Sequence, residues 1–292
     1  MRNVLLAAFV IISVALVPSC AKERVKGCTD PYALNFDPGA TDNNGNCWVP
    51  IQTKKVLIAN FTKTSEEACG DWGITEFESA INQTFGRAEP IVIHSDDEMS
   101  NDIGDALSEY YEVDGYPTFR VWEQGQDYED STDLIAAVDQ EIVEKSVPEA
   151  GAVVNIMDNG QKVTIEVSAG VFLPAAGDYF VAVYIMEDSL VFPQNGANDD
   201  PDSDDYPYLD NFVHNHVLRG SANGEWGEQF VFGAGFTGQV LTKTYVLDKD
   251  LTWNMNNVYA VAVVWKYVKD QQYGEYVYEF VNVSSSKDLI TY

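Results

Sequence analysis

The sequence predicts a three-part chain in which a short disulfide-closed module precedes an α/β domain and an all-β sandwich. Three observations support this division. Two cysteines bracket a segment of turn-forming residues, apolar runs of strand length alternate with helical periodicities in the middle third, and the last half alternates with a period of two. The expected boundaries are 1–20 for a signal peptide, 21–50 for a linker and the module, 51–147 for the α/β domain and 148–292 for the sandwich.

The composition limits the function before any motif is considered. The 292-residue chain carries 46 Asp and Glu against 17 Lys and Arg, a formal net charge of −29. Because nucleic-acid binding depends largely on cations that neutralise phosphates, nucleic acid is excluded as an expected partner. The excess carboxylates are hard oxygen ligands of the kind that calcium prefers.

Residues 1–20 have the pattern of an export signal. Arg2 precedes an apolar run over 5–17, which is too short to span a hydrocarbon core of about 30 Å. A serine directly before Cys20 resembles a bacterial lipobox, which implies acylation of the Cys20 thiol. The alternative is an ordinary secretory signal that is cut nearby. Since no later segment has the length and hydropathy of a membrane helix, lipid is the only expected anchor.

Residues 27–47 form a turn-rich segment with almost no hydrophobic periodicity, bracketed by Cys28 and Cys47. Such a segment lacks a core, and a bridge that closes a loop of this length removes about 3 kcal/mol of unfolded-chain entropy, so we expect a Cys28–Cys47 disulfide. The segment also resembles a short module of exported bacterial proteins. Its candidate calcium ligands, whose spacing is not that of an EF-hand and whose alternative role is as solvated turn residues, are Asp30, Asn35, Asp37, Asp42 and Asn44.

The middle third alternates strand and helix patterns in the order βαβαββα. Continuous apolar runs are typical of buried parallel strands, whereas apolar residues at three- and four-residue steps indicate amphipathic helices. The predicted elements are a strand over 56–61, a helix with Ile74, Phe77, Ile81 and Phe85, a strand over 90–94, a helix with Ile103, Leu107 and Tyr110, a strand over 116–122 paired through a turn at Gly125 with a partner near Tyr128, and a helix with Leu134, Ile135, Val138 and Ile142.

Two local features make this domain resemble thioredoxin. Cys69 lies at the junction of the first strand and the first helix, where thioredoxin-like proteins carry Cys-x-x-Cys because a helix N-terminus lowers a thiol pKa. The segment before Thr118 contains Pro117, which resembles the cis-proline that faces the active cysteine of that fold. Cys69 and Pro117 are therefore the candidate catalytic residues.

Trp72 stands where the second thiol of that motif is expected. Without a resolving thiol, a mixed disulfide is not discharged within the molecule, so dithiol turnover is not expected. We expect Glu66, Glu67 and Asp71 to raise the pKa of Cys69. Cys69 is interpreted as a vestigial or structural thiol, and the alternative is a monothiol exchange enzyme in which an external thiol resolves the mixed disulfide.

The last half follows a linker-like break at 147–151 and predicts an antiparallel sandwich. Its strands number about seven to nine, as in an immunoglobulin-like domain, without the cysteine and tryptophan pattern of a true one. The predicted strands cover 153–157, 163–167, 179–185, 212–218, 228–232, 239–246, 258–265 and 276–283.

Two features of the sandwich are candidates for chemistry. His214 and His216 are two apart on one predicted strand, so both point to the same face, where zinc would need a third ligand from elsewhere. The alternative is a pair of packed or hydrogen-bonded histidines. The acidic loop 198–205 is either a calcium site or a solvated connection.

Several phrases of the last half resemble a family of exported bacterial lipoproteins named for a 28-kilodalton outer-membrane protein. They are Tyr184-Ile185-Met186-Glu187-Asp188, Phe192-Pro193-Gln194, His214-Asn215-His216-Val217-Leu218-Arg219 and Trp226-Gly227. The resemblance implies an outer-membrane lipoprotein of the cell envelope with no enzymatic activity. Relatives keep Thr-x-x-Cys-x-x-Cys, from which Cys69 alone departs.

These observations predict a lipid-anchored outer-membrane protein that acts as a non-catalytic binding or structural module. The α/β domain is the expected scaffold, and the sandwich is the expected surface for a protein or glycan ligand. Calcium is the only candidate cofactor.

Overall fold

The computed structural model describes residues 23–122, 127–198, 200–203, 206–269 and 274–289. The predicted signal peptide, Cys20 and the turn at Gly125 lie outside these residues. Strands make up most of the regular structure. Within the described part of the chain, none of the helices is long and apolar enough to cross a membrane.

The N-terminal module is closed by a disulfide between Cys28 and Cys47, which confirms the predicted pairing. Two short parallel strands pair in this module: β1 (Lys26–Gly27) directly precedes Cys28, and β2 (Asp42–Asn43) lies inside the disulfide loop. Cys28 is buried, while most of the segment is exposed or half-buried. The disulfide therefore stabilises this segment in place of a hydrophobic core, as expected for so short a segment.

The α/β part begins with a fully buried strand, as its continuous apolar run predicts. The helices that follow begin at side-chain caps where the sequence offers them: Asn101 accepts from the Gly104 amide, and Asp130 accepts from the Asp133 amide. The elements are β3 (Val56–Thr62), α1 (Ile74–Gln83), β4 (Ala88–His94), α2 (Asp102–Tyr110), β5 (Thr118–Val121), β6 (Asp127–Tyr128) and α3 (Ser131–Glu144).

The prediction that Phe85 belongs to the apolar face of the first helix is wrong. Helix α1 ends at Gln83, and Phe85 has a positive φ of 51° and is exposed. The buried face of α1 is formed by Phe77 and Ala80 instead. The prediction failed because the three- and four-residue spacing of apolar side chains continues to Phe85, two residues beyond the end of the helix.

The second half consists of strands, in agreement with its period-two alternation. Two sheets enclose a core that includes Ile165, Val183 and Val264. The strands are β7 (Ala150–Asp158), β8 (Lys162–Val171), β9 (Ala175–Ala176), β10 (Asp178–Glu187), β11 (Leu190–Asn195), β12 (Tyr208–His214), β13 (Val217–Ser221), β14 (Glu228–Val231), β15 (Ala234–Gly235), β16 (Val240–Asp248), β17 (Val258–Lys269) and β18 (Tyr276–Ser285).

One nine-stranded sheet runs through both halves in the order β18-β17-β10-β13-β4-β3-β5-β6, with β14 also paired to β10. The junction is a parallel contact between β13 and β4, in which the Val92 amide donates to the His216 carbonyl at 2.7 Å. One apolar cluster contains Leu57 and Ile91 from the first half together with Tyr184 and Trp265 from the second. The two halves therefore share a core as well as a sheet.

A two-stranded ribbon, β11 paired with β12, leaves this sheet. The predicted continuous strand over 212–218 is wrong, because β12 ends at His214 and β13 begins at Val217. His216 has a positive φ of 57°, which turns the chain from the ribbon into the large sheet. The ribbon contacts the start of the first helix and so determines the environment of the candidate site.

Candidate functional site

Cys69 lies in the segment between β3 and α1, at the start of a single π-helical turn, Cys69–Gly73. Its side chain is fully buried, and its amide donates to the Glu66 carbonyl. It is the free cysteine of the described residues. The sequence therefore places this thiol correctly along the chain, but the structure leaves it without access to solvent.

Burial is the main cause that raises the pKa of the Cys69 thiol. Hydrogen bonds from the Thr62 side chain and the Lys63 backbone act in the opposite direction, and the charges of Glu66 and Asp97 raise the pKa further. The raised pKa agrees with the sequence prediction, but its largest cause is desolvation; of the three predicted carboxylates, Glu66 is among the causes, and Asp97 is the second acidic one. The thiolate needed for disulfide exchange is disfavoured at neutral pH.

The ribbon covers the segment that contains Cys69. The Asn195 amide donates to the Thr64 carbonyl at 2.9 Å, and the Asn195 side-chain amide donates to the Ser65 carbonyl at 2.9 Å. Two glycines let the backbones meet: a Cβ on Gly70 would lie 2.0 Å from the Asn195 carbonyl oxygen, and a Cβ on Gly196 would lie 2.0 Å from the Glu67 carbonyl oxygen. The cover is therefore built from main-chain contacts together with the Asn195 side chain.

Pro117 and Trp72 complete the surroundings of this segment. The Tyr116–Pro117 peptide bond is cis, and Pro117 is buried. A Cβ on Gly73 would lie 2.6 Å from the Pro117 ring, so the proline loop faces the turn that begins at Cys69. Trp72 packs edge-on against Phe119 at 5.9 Å between ring centroids. A tryptophan that contacts the core thus occupies the position expected for a second thiol.

Beside this segment lies a cavity of about 200 Å³, which we call the histidine cavity. It is formed where β3, β4 and α1 meet the ribbon. Two buried histidines, His94 and His214, have ring centroids 5.2 Å apart in an edge-to-face arrangement. The lining residues are Asn60, Thr62, Ile74, Phe77, Glu78, Val92, His94, Gln194, Phe212, Val213, His214 and Asn215.

The contacts of the His94 and His214 rings indicate which ring nitrogens carry hydrogen. His94 Nδ1 lies 2.8 Å from Asp97 Oδ2. Burial would raise the pKa of Asp97, but the His94 contact and the amides of Met99 and Thr64 lower it below its ordinary value. Since an ionised carboxylate only accepts, Nδ1 carries the hydrogen. Burial lowers the pKa of His214 to about 4, with His94 contributing and a hydrogen bond to the Phe192 backbone opposing, so its ring is neutral at pH 7.

His216 does not share a face with His214, contrary to the sequence prediction. Its Nδ1 lies 3.0 Å from the Tyr259 hydroxyl and 3.5 Å from Asp188, away from the histidine cavity. The physical reason is the turn at 215–216, which ends the strand alternation on which the prediction depended. The partner of His214 is His94, on a strand of the other half.

The candidate calcium ligands of the module are engaged in turns. Asp30, Asp37 and Asn44 each accept a hydrogen bond from the amide two residues later. Both ends of the Asn35 side-chain amide are bonded, to the Asn46 carbonyl and the Trp48 amide. Arg24 lies 4.0 Å from Asp42. Across the described ranges, no three His, Cys, Asp or Glu side chains form a group that could hold a metal ion.

The acidic loop is only partly described, because Asp199, Asp204 and Asp205 lie outside the described residues. Within the described part, Asp200 accepts from the Asp202 amide, and Asn198 accepts from the Asp200 amide. Both are Asx-turn hydrogen bonds, in which a side-chain oxygen accepts from the amide two residues later.

Sequence reasoning missed His94, Asn60 and Gln194 as members of the cavity. His94 ends a predicted buried strand, and a polar residue at the carboxyl end of a parallel strand is a signal for a site. Asn60 interrupts the apolar run of β3 in the same way. Gln194 gives no such local signal, since its position depends on where the ribbon folds.

Comparison with known proteins identifies the family of this chain. The profile of the outer membrane protein Omp28 family matches residues 104–283, more than half of the chain. The chain belongs to this family. Membership places it at the outer membrane of the cell envelope, as the sequence resemblance implies. Among curated proteins, no significant match was found.

Among solved structures, HBP35 of Porphyromonas gingivalis is similar, with a TM-score of 0.63 at 15% identity over 81% of this chain and 76% of that chain. At this identity the likeness shows the fold alone. The sporulation control protein Spo0M from Bacillus subtilis matches 47% of this chain and 50% of that chain at 12% identity, with a TM-score of 0.22 that is too low to support an argument.

Proposed function

We propose that this Omp28-family chain is a non-catalytic binding or structural module, anchored in the outer membrane by lipid on Cys20, which becomes the first residue after removal of residues 1–19. In this proposal, the module over 21–50 joins the anchor to a thioredoxin-like scaffold over 51–147. An immunoglobulin-like sandwich over 148–292 carries the surface for a protein or glycan ligand.

The observation that carries the non-catalytic assignment is the cover over Cys69. A thiol attacks a disulfide only as an accessible thiolate, and a dithiol enzyme also needs a second thiol to release the mixed disulfide. Cys69 is fully buried, its pKa is raised by that burial, and Trp72 occupies the position of the second thiol. Each of these features opposes a different step of the exchange cycle.

Alkylation kinetics test this assignment. We expect iodoacetamide to react with Cys69 far more slowly than with a free thiol at every pH up to about 8.5, the ordinary thiol pKa. The processed protein should reduce no model disulfide, and Cys69→Ser should behave identically in that assay. A fast reaction with an apparent pKa below about 7, together with reductase activity that Cys69→Ser removes, would favour the monothiol enzyme.

Fractionation tests the lipid anchor. In a Gram-negative host, the wild-type chain should be found in the membrane fraction, and its intact mass should include acyl groups at Cys20. Cys20→Ser should release the protein into the soluble fraction, whereas Cys69→Ser, the matched control, should stay with the membrane. A Cys20→Ser protein that remains membrane-bound would rule out this anchor.

An aromatic face supports a ligand surface on the second half. Trp226 stacks on Tyr278 with centroids 4.2 Å apart and planes 2° apart, and Tyr267 stacks on Tyr276, which is 59% exposed. Exposed stacked rings are typical of interaction sites, because rigid aromatic area binds at low entropic cost. We expect Tyr276→Ser to weaken capture of glycan or protein ligands without lowering the melting temperature. Phe236→Ser, at another exposed ring, is the control.

A further inference from the structure

The histidine cavity concentrates buried polar atoms that have no protein partner. They are Asn60 Oδ1, His94 Nε2, Gln194 Oε1 and His214 Nε2, on side chains that are 1–5% exposed. A buried polar atom left unbonded costs about 1–3 kcal/mol, and native proteins contain only a few per 100 residues. Four around one cavity are best explained by a ligand that bonds to them.

All four atoms are hydrogen-bond acceptors. His94 Nδ1 directs its hydrogen toward Asp97, so in the Nδ1–H tautomer the lone pair of the ring is at Nε2. The His214 ring bonds to the Phe192 backbone through its other nitrogen, which leaves Nε2 with its lone pair as well. The Gln194 amide nitrogen donates to the Asn195 carbonyl at 3.0 Å and faces two further carbonyls, which orients Oε1 as the free end.

The charged residues of the lining favour a ligand whose hydrogen-bond donors are neutral or cationic. No Lys or Arg lines the cavity among the described residues, whereas Glu78 does. An anion would bring further acceptors to a site whose four buried unpartnered atoms are already acceptors. A ligand with N–H groups would supply the missing donors, and an ammonium would also be attracted by Glu78.

Most of the remaining lining is apolar, and it limits the size of the ligand. Phe77 and Phe212 provide aromatic surface, and Ile74, Val92 and Val213 provide aliphatic surface. Val213 is exposed, so one wall of the cavity reaches the protein surface. Because an apolar cavity of about 150 Å³ holds benzene, a cavity of about 200 Å³ accommodates a benzene-sized body with a short polar arm.

A transition metal fits this donor set less well. Zinc sites use at least three protein ligands of the His, Cys or carboxylate type, and the described residues contain no such group of three. The two amide oxygens prefer harder cations than the two imidazoles do. The mixture of acceptors suits hydrogen-bond donors on an organic molecule.

We propose that the histidine cavity binds a small primary amine in its ammonium form, whose three N–H groups donate to three of the four acceptors on His94, His214, Asn60 and Gln194 and whose hydrocarbon body packs between Phe77 and Phe212. This site goes beyond the proposed function, which concerns the sandwich face and the inactivity of Cys69. Reductase activity at Cys69 would leave the amine site standing, and failure to bind an amine would leave the scaffold assignment standing.

Calorimetric titration of the processed protein with 2-phenylethylamine tests the proposal, with 3-phenylpropionate as a probe of similar size and opposite charge. The amine should bind with one-to-one stoichiometry and raise the melting temperature, and the carboxylate should do neither. His214→Phe and Asn60→Leu should each weaken amine binding at least tenfold, since each removes an acceptor to a charged donor. His216→Asn, outside the cavity, should leave the affinity unchanged.

Three results would overturn the proposal. Equal binding of the carboxylate would show that the cavity does not select for a hydrogen-bond donor. No heat and no thermal shift with either probe at millimolar concentration would show that the cavity holds only water. Stoichiometric Zn²⁺ or Cu²⁺ binding that abolishes amine binding and is lost in His214→Phe would identify a metal site instead.

Discussion

The Cys69 thiol and the histidine cavity lie under the same ribbon, and they differ in how their polar groups are satisfied. The thiol is fully buried but bonded, through Thr62 and the Lys63 backbone. The cavity is almost as buried, yet four of its acceptors have no protein partner. Gln194 belongs to both regions, because its amide nitrogen lies 3.4 Å from the Thr64 and Glu66 carbonyls, shortly before Cys69 in the chain, while its side chain lines the cavity.

This difference in hydrogen bonding distinguishes Cys69, a thiol without a function in exchange, from the histidine cavity, a candidate binding site. A group that is buried and fully bonded contributes to packing and has no further demand for a partner. A group that is buried and unbonded lowers stability unless something binds to it, so it is retained where binding compensates. The resemblance to thioredoxin indicates a site at Cys69, whereas the unpartnered polar atoms indicate one at His94 and His214.

The largest expected effect comes from breaking the cover over Cys69. Gly196 has a positive φ of 79°, and a Cβ there would lie 2.0 Å from the Glu67 carbonyl oxygen. We expect Gly196→Ala to lower the free energy of unfolding by about 4 kcal/mol, from backbone strain and main-chain overlap together. It should also accelerate alkylation of Cys69 at least tenfold, measured alongside urea denaturation.

Gly238→Ala is the matched control for this change. Gly238 has a similar φ of 88°, and a Cβ there would meet no atom within 4 Å. It should therefore cost only the strain, about 1–2 kcal/mol, and leave the alkylation rate unchanged. If the two variants behave alike, the ribbon does not protect the thiol.

Local sequence was sufficient for the elements on which this comparison depends. The strands at Val56–Thr62 and Ala88–His94 follow from apolar runs, and the Cys28–Cys47 bond follows from a segment that has no core. The pairing of His94 with His214 was not predictable, because it requires contact between β4 and the chain that enters β13 in the other half. The break at His216 was missed because a positive φ leaves no trace in an alternation of apolar and polar residues.

Acid should weaken the fold through His214. Burial lowers its pKa to about 4, so between that value and the ordinary pKa of 6.5 the unfolded chain binds a proton that the folded chain does not. The free energy of unfolding should therefore fall as the pH drops from 6.5 to 4, by about 2 kcal/mol once partial solvation is allowed for. Urea denaturation at the two pH values measures this loss.

His214→Phe should remove most of that pH dependence while keeping a ring in the cavity wall. Burial also lowers the pKa of His216, so the variant should retain the smaller share of the slope that belongs to His216. A variant with the same slope as the wild type would mean that His214 is protonated in the folded chain, and its Nε2 would then be a donor rather than an acceptor.

The smallest expected effect differs in sign between the two regions. Asn60→Leu replaces an unpartnered acceptor on β3 with an apolar side chain of similar volume, which should raise the free energy of unfolding by about 1 kcal/mol in the absence of ligand. Cys69→Ala removes a bonded, well-packed thiol and should lower it by about 1 kcal/mol. Urea denaturation of both variants at pH 7 gives the comparison. Destabilisation by Asn60→Leu as large as that by Cys69→Ala would show that Asn60 stabilises the fold and is not kept for binding a ligand. The histidine cavity would then resemble the thiol region.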